Sequence, residues 1–86
     1  MNINELIAIV KIKLEAKIII QDLKIEDKSF LHKNHKGHRE GKFHLKLTIK
    51  SDELAKLHKI VSTKRVYSVL SNELEEHIHS IQILLN

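Results

Sequence analysis

Apolar side chains recur every three to four residues near the start of the chain, and this spacing predicts a helix over residues 2–15 with one buried face. Asn2 is a suitable N-cap, and Glu5 stands three residues later, where the second half of a capping box belongs. The apolar positions are Ile3, Leu6, Ile7, Val10 and Leu14. The chain is therefore expected to begin with an amphipathic helix packed on a core.

Three other segments have the composition or the alternation of β-strands. Residues 17–26 are rich in apolar and β-branched side chains, which predicts a first strand. Over residues 43–50 apolar and polar side chains alternate strictly, as they do in a strand with one buried face. Residues 79–85 alternate in the same way and predict a third strand.

Between the second and third strands, residues 52–78 keep an apolar stripe at helical spacing. Ser51 or Asp52 can cap the start of this helical region. The region is longer than a typical helix, and its β-branched stretch at Val61-Ser62-Thr63 has the weakest helix propensity. We therefore expect a short helix followed by a longer one.

The predicted order of elements is α-β-β-α-α-β. The first two strands are joined by a loop and should pair antiparallel, whereas the third follows a helical crossover and can lie parallel to the second. This order predicts an α+β fold, with a three-stranded mixed sheet and helices over one of its faces. The length of 86 residues predicts one domain spanning 1–86.

The composition excludes several kinds of protein. The chain has no cysteine, so it cannot build a self-contained iron–sulfur site or a cysteine zinc site, and it fits a reducing compartment. No apolar run approaches the roughly 18 residues of a membrane span, so no membrane role is expected. We expect a cytoplasmic protein; a mitochondrial location stays open if a targeting segment was removed before Met1.

The net charge of +4 hides a segregation along the sequence. Residues 28–65 carry eleven Lys or Arg side chains against three acids, a net charge of +8, whereas the rest of the chain has a net charge of −4. The middle of the chain should therefore attract anions. A solvated lysine surface is the alternative interpretation of the same pattern.

Four histidines fall within thirteen residues, in a stretch that also holds both glycines of the chain. They are His32, His35, His38 and His44. Neutral imidazole is the commonest protein metal ligand, and its charge changes near physiological pH. Without thiols, the stretch is either part of a metal site completed by a partner or a basic surface that titrates. A metal site made by these histidines alone is a minor alternative, because their spacing matches no structural zinc pattern.

Catalytic signatures are missing from the sequence. No cysteine nucleophile, no recognisable Ser-His-Asp spacing and no glycine-rich phosphate loop is present. We therefore expect a protein that is not an enzyme.

Short segments at matching spacing across roughly residues 3–84 resemble the BolA family. The first is Asp27-Lys-Ser-Phe-Leu-His32, which leaves the first strand, and the second is His44 before an alternating strand that ends at Ser51. The others are Val66-Tyr67 with Leu70, then Glu73-Leu74, and finally Ile78-His79 at the start of the last strand. No one of these segments is diagnostic, but the combination is fairly specific.

The resemblance implies a fold like the type II KH domain and a partner, a monothiol glutaredoxin. Such pairs share a two-iron two-sulfur (2Fe-2S) cluster, for which the glutaredoxin cysteine and glutathione supply thiolates and the BolA-like protein supplies imidazole; this chain would not bind the cluster alone. The implied role is iron–sulfur cluster trafficking or iron and redox regulation. Histidine ligation raises the reduction potential of such a cluster, as in Rieske-type sites.

By the same resemblance, His79 and His32 are the leading ligand candidates. His35, His38 and His44 are less favoured. Taken alone, the alternation of the last strand points His79 the same way as Ile81, which favours a half-buried ring with a hydrogen bond. His44 falls on the polar positions of its strand, where packing or exposure to solvent is the simpler expectation.

The runner-up function is a DNA-binding transcriptional regulator. Lys56, Lys59, Lys64 and Arg65 could meet phosphates from one helical region. However, Ser62-Thr63-Lys64 stands where the family usually has Arg-His-Arg, and no glycine follows Gly41 to form the Gly-x-x-Gly loop of nucleic-acid-binding KH domains. A homodimer stays open on the sequence alone.

Overall fold

The computed structural model describes residues 1–29 and 42–86 and confirms the predicted α+β architecture. The elements in chain order are α1 (Ile3–Lys17), β1 (Asp22–Asp27), β2 (Phe43–Lys50), α2 (Asp52–Ala55), α3 (Lys59–Val69), α4 (Ser71–Glu76) and β3 (Ile78–Leu85). Three helices, rather than the expected two, connect β2 to β3. None of the helices in the two described stretches is long and apolar enough to cross a membrane.

The sheet has the order β1-β2-β3 and contains both kinds of strand pairing. β1 pairs antiparallel with β2, so that Ile25 lies opposite Leu47, and β2 pairs parallel with β3, so that Leu47 also lies opposite Ile83. The central strand therefore connects the two halves of the chain. The mixed sheet expected from the connections is confirmed.

The first helix is longer, and the first strand shorter, than the sequence pattern predicts. α1 continues to Lys17, and β1 begins at Asp22 instead of residue 17. The Ile18 amide donates to the Leu14 carbonyl at 2.9 Å, and the Ile18 side chain is buried as a further member of the α1 apolar stripe. Ile18 itself is extended, so the β-branched residues 18–20 connect α1 to β1 without belonging to either element.

The helical region breaks at residues 56–58 and again at Leu70, and not at Val61-Ser62-Thr63 as expected. Ser62 is fully buried inside α3, and its hydroxyl lies 2.8 Å from the Leu54 carbonyl, to which it donates. This bond ties α3 to the end of α2 and satisfies the Ser62 hydroxyl. The stretch with the weakest helix propensity is therefore kept helical by a tertiary contact.

The core lies between the helices and one face of the sheet. α1 contributes Leu6, Val10 and Leu14, and β2 contributes its alternate residues. Among residues 1–29 and 42–86, the buried apolar side chains are Leu6, Val10, Leu14, Ile18, Leu45, Leu47, Ile49, Leu54, Val66, Leu70 and Ile78. Fully burying one such side chain stabilises the fold by about 1.5–3 kcal/mol. The opposite face of the sheet carries the polar residues of the same strands.

The first helix and α4 are also joined by an ion pair. Lys13 Nζ lies 2.6 Å from Glu73 Oε2, and the Glu73 side chain is almost completely buried. Because a buried carboxylate needs a partner, Lys13 fixes the position of α4 directly before β3 begins.

The residue that caps α2 also connects the helices to the segment between α1 and β1. Ser51 is buried, its hydroxyl accepts from the Leu54 amide at 3.1 Å, and the same hydroxyl donates to the Ile19 carbonyl at 2.7 Å. Of the two caps considered from the sequence, Ser51 is the one that the structure uses.

We expect Ser51→Ala to lower the free energy of unfolding by about 1–2 kcal/mol, because it removes a helix cap and leaves a carbonyl without its donor. For a domain of this size, each 1 kcal/mol lowers the melting temperature by about 4–8 °C. Thermal and urea unfolding followed by circular dichroism would measure the change. Ser68→Ala, at an exposed position of α3, is the matched control. Equal stabilities of the two variants would contradict this role of Ser51.

Candidate functional site

Two imidazoles meet at one end of the sheet. Because β2 and β3 run parallel, their first residues lie at the same edge, and His44 and His79 are brought together there. The two ring centroids are 4.8 Å apart, with an angle of 48° between the ring planes. Residues 35 positions apart in sequence thus form a histidine pair.

A register shift between β2 and β3 sets the direction of His79. Phe43 lies opposite Ile78 and His44 lies opposite Ser80, so that His79 is the extra residue of a bulge-like irregularity. His79 is consequently exposed. The prediction from simple alternation, that the His79 ring is half-buried, is wrong. The register shift falls between His79 and the regular part of β3, so His79 does not point the same way as Ile81.

His44, in contrast, is buried, with only 5% of its surface exposed. Its Nδ1 lies 2.6 Å from the Ser80 hydroxyl, which can donate or accept and so is compatible with either tautomer. Its backbone amide donates to the Ser29 hydroxyl at 3.1 Å, and its carbonyl accepts from the Lys28 amide at 2.7 Å. The His44 ring therefore has a fixed position against which the exposed His79 ring rests.

The Asp27-Lys-Ser29 segment has a structural role at this site. The Ser29 amide donates to Asp27 Oδ1 at 2.9 Å, which turns the chain as it leaves β1. The turn brings the Ser29 hydroxyl to the His44 amide. The side chains of this motif thus hold the start of β2 in place.

The other candidate ligands, His32, His35 and His38, lie outside the described residues. Within residues 1–29 and 42–86, no group of three or more His, Cys, Asp or Glu side chains could hold a metal ion. The described part of the site therefore offers two imidazoles. Sequence reasoning gave His44 little weight, although its position at the start of a strand parallel to the His79 strand was a usable signal.

A groove of about 370 Å³ runs along the open face of the sheet beside His44. Lys28, Lys46, Ser80 and Gln82 are among the residues that line it. Both lysines are half-buried, and they add positive charge next to the histidine pair.

The basic residues of the alternative function lie on and around α2 and α3. Lys56, Lys59 and Lys64 are exposed. Arg65 is engaged within the fold, with its guanidinium 3.3 Å from Glu53 Oε2 and 3.4 Å from the Lys17 carbonyl. Their role in DNA binding stays a prediction.

An ion-pair cluster of Lys24, Glu26 and Lys28 at the end of β1 perturbs one carboxylate. Lys24 Nζ lies 2.8 Å from Glu26 Oε1, and Lys28 Nζ lies 3.0 Å from Glu26 Oε2. Hydrogen bonds from Lys24 and then from Lys28 lower the pKa of Glu26 from its ordinary value of 4.5 to about 2. The same contact with Glu26 raises the pKa of Lys24.

The fold agrees with the comparisons to known proteins. A family model described as BolA-like protein matches residues 14–86. The chain therefore belongs to the BolA-like family. A search of curated protein sequences found no match.

Solved structures show the same fold. The BolA domain of SufE1 from Arabidopsis thaliana is similar with a TM-score of 0.78 and 24% identity, over 100% of this chain and 93% of that one. BolA1 from Arabidopsis thaliana has a TM-score of 0.78 and 26% identity, over 92% of this chain and 87% of that one. BolA1 from Mus musculus has a TM-score of 0.71 and 21% identity, over 90% of this chain and 60% of that one.

We expect the stabilising contribution of Glu26 to depend on pH. Because its pKa is lower in the folded chain than the ordinary 4.5, the contribution is complete above that value and is lost as the pH falls from 4.5 to about 2. The effect should be small and should weaken with salt, since the cluster lies at the protein surface and the Lys24 side chain is 70% exposed. Urea unfolding of wild type and Glu26→Gln at neutral and at acidic pH would measure it.

The matched control is Glu76→Gln, at an exposed position of α4. Wild type should be more stable than Glu26→Gln at neutral pH, and the two should converge in acid. A difference between them that is independent of pH would contradict the shifted pKa.

Proposed function

We propose that this chain is a non-enzymatic partner of a monothiol glutaredoxin and co-ligates a 2Fe-2S cluster through histidine, in cluster trafficking or in iron and redox regulation. The observation that carries the proposal is the histidine pair, in which an exposed His79 rests against a buried His44. Membership of the BolA-like family supports the same proposal.

The donor set of the chain suits half of a cluster site. Imidazole nitrogen is present at the surface, while the sequence contains no cysteine, so all thiolates must come from the glutaredoxin and its glutathione. When bound, the cluster would supply one-electron redox chemistry and a transferable iron–sulfur unit. Imidazole must be neutral to bind iron, so protonation in acid would weaken ligation by this chain.

In this proposal His79 is the first ligand, because its ring is exposed at the end of the sheet. His44 supports the His79 ring and is itself oriented by the Ser80 hydroxyl. His32 is the leading second ligand. This choice follows the family resemblance of the Asp27–His32 segment, since His32 lies outside the described residues.

The charge beside the pair suits the proposed partner. Lys46 lines the groove next to His44, where it can attract the carboxylates of bound glutathione; Lys28 lines the same groove and is also paired with Glu26. Such attraction would mainly raise the association rate and fix the orientation of the complex.

We expect the chain, mixed with a monothiol glutaredoxin that carries a 2Fe-2S cluster and glutathione, to change the visible absorption and circular dichroism of the cluster. His79→Ala should abolish most of the change, because it removes the proposed iron ligand. Combining His79→Ala with alanine at His32, His35, His38 or His44 in turn would then identify the second ligand by the loss of the remaining signal.

His58→Ala is the matched control, since His58 is also exposed but lies before α3, and its side chain makes no capping hydrogen bond. Binding to the cluster-free glutaredoxin, measured by calorimetry, separates loss of ligation from loss of docking. An unchanged spectrum on adding wild type, or a spectral change that survives every one of these double variants, would overturn the proposal.

A further inference from the structure

The two outer strands of the sheet differ in charge: β1 is rich in charged residues and β3 has no Lys, Arg, Asp or Glu. β1 is a charged edge, since four of its six residues are Asp, Lys or Glu. β3 is an eight-residue edge strand without a single Lys, Arg, Asp or Glu, and the following Asn86 is also uncharged. Proteins usually protect an open edge with charges, proline or bulges, because its backbone groups can pair with another strand. After its irregular start at His79, β3 has none of these.

The hydrogen-bonding pattern identifies the backbone groups at this edge. The Asn86 amide donates to the Ile49 carbonyl at 2.9 Å, so the backbone of residue 86 points toward β2. By the alternation of a parallel ladder, residues 84, 82 and 80 point the same way, and residues 81, 83 and 85 point outward. The sheet order places no further described strand beyond β3.

The side chains along this edge are also incompletely covered. Ile81, Ile83 and Leu85 face the core but are only half-buried, and Leu84 on the open face is 39% exposed. An added strand would cover apolar surface on both faces while it satisfied the outward backbone groups.

We propose that β3 pairs antiparallel with β3 of a second copy of this chain, which makes a symmetric dimer with a continuous six-stranded sheet. Pairing around Ile83 places Ile83 opposite its counterpart, Ile81 opposite Leu85, and Gln82 opposite Leu84 of the second copy. All outward backbone groups of residues 81, 83 and 85 are then paired.

The charge pattern selects a second copy as the occupant. The β3 edge has no charge with which to select a charged foreign strand, and two identical neutral edges can meet without repulsion. The interface is self-complementary, as a two-fold axis requires. The charged β1 edge opposes further strand addition, so that association stops at two copies instead of continuing into a filament.

The test uses charge at Gln82, an exposed residue of β3. Sedimentation velocity over a wide concentration range should show wild type moving from the 10.0 kDa monomer to twice that mass. Gln82→Lys alone and Gln82→Glu alone should each shift the association to higher concentration, because each new charge faces Leu84 of the second copy and lies diagonally across the axis from a like charge. An equimolar mixture of the two variants should restore the association.

Asn72→Lys, which adds the same charge at an exposed position of α4, is the matched control and should associate like wild type. Urea unfolding of each variant confirms that the monomers remain folded. The proposal is overturned if wild type stays monomeric up to millimolar concentration, if it forms species larger than a dimer, or if the mixture associates no better than the single variants.

The proposed pairing extends from Ser80 to Asn86 and leaves His79 outside it. His79→Ala should therefore abolish the cluster signal and leave the self-association unchanged. Failure of the dimer and failure of the glutaredoxin partnership are thus separate results.

Discussion

The parallel ladder between β2 and β3 is the interaction on which the site and most of the core depend. Leu47, a fully buried residue at the centre of β2, lies opposite Ile25 on one side and Ile83 on the other, so this central strand connects residues far apart in sequence. Parallel pairing also requires the chain to return across the sheet, and α2, α3 and α4 provide that return. The same ladder brings His44 and His79 to one edge of the sheet.

Three hydroxyl groups hold the irregular parts of this framework. Ser29 fixes the start of β2 through the His44 amide, Ser80 contacts the His44 ring, and Ser51 joins the cap of α2 to the Ile19 carbonyl. Each hydroxyl satisfies a group at a point where a regular ladder or helix ends. The buried His44 ring is fixed from two sides in this way, which leaves the exposed His79 ring as the part of the pair accessible to an external ligand.

Charged residues are distributed differently over the histidine site, the β1 edge and the β3 edge. Lys28 and Lys46 are placed beside the histidine pair, Lys24 and Glu26 protect the β1 edge, and β3 has no Lys, Arg, Asp or Glu residue. The histidine end and the uncharged end of β3 therefore suit different partners, one anionic and one neutral. Because the proposed pairing leaves His79 uncovered, the two associations do not compete for that residue.

The sequence by itself determined the order of the elements, the mixed sheet and the family resemblance, because the apolar periods of α1, β2 and β3 match the buried faces of those elements. It also gave His79 and His44 as separate candidates. Only the tertiary structure decided where α1 ends, where the helical region breaks and which way His79 points. Three tertiary features account for these differences. They are the burial of Ile18, the bond from Ser62 to the Leu54 carbonyl, and the register shift between β2 and β3. Each of these joins residues that are not neighbours on one periodic element, so no local pattern could reveal it.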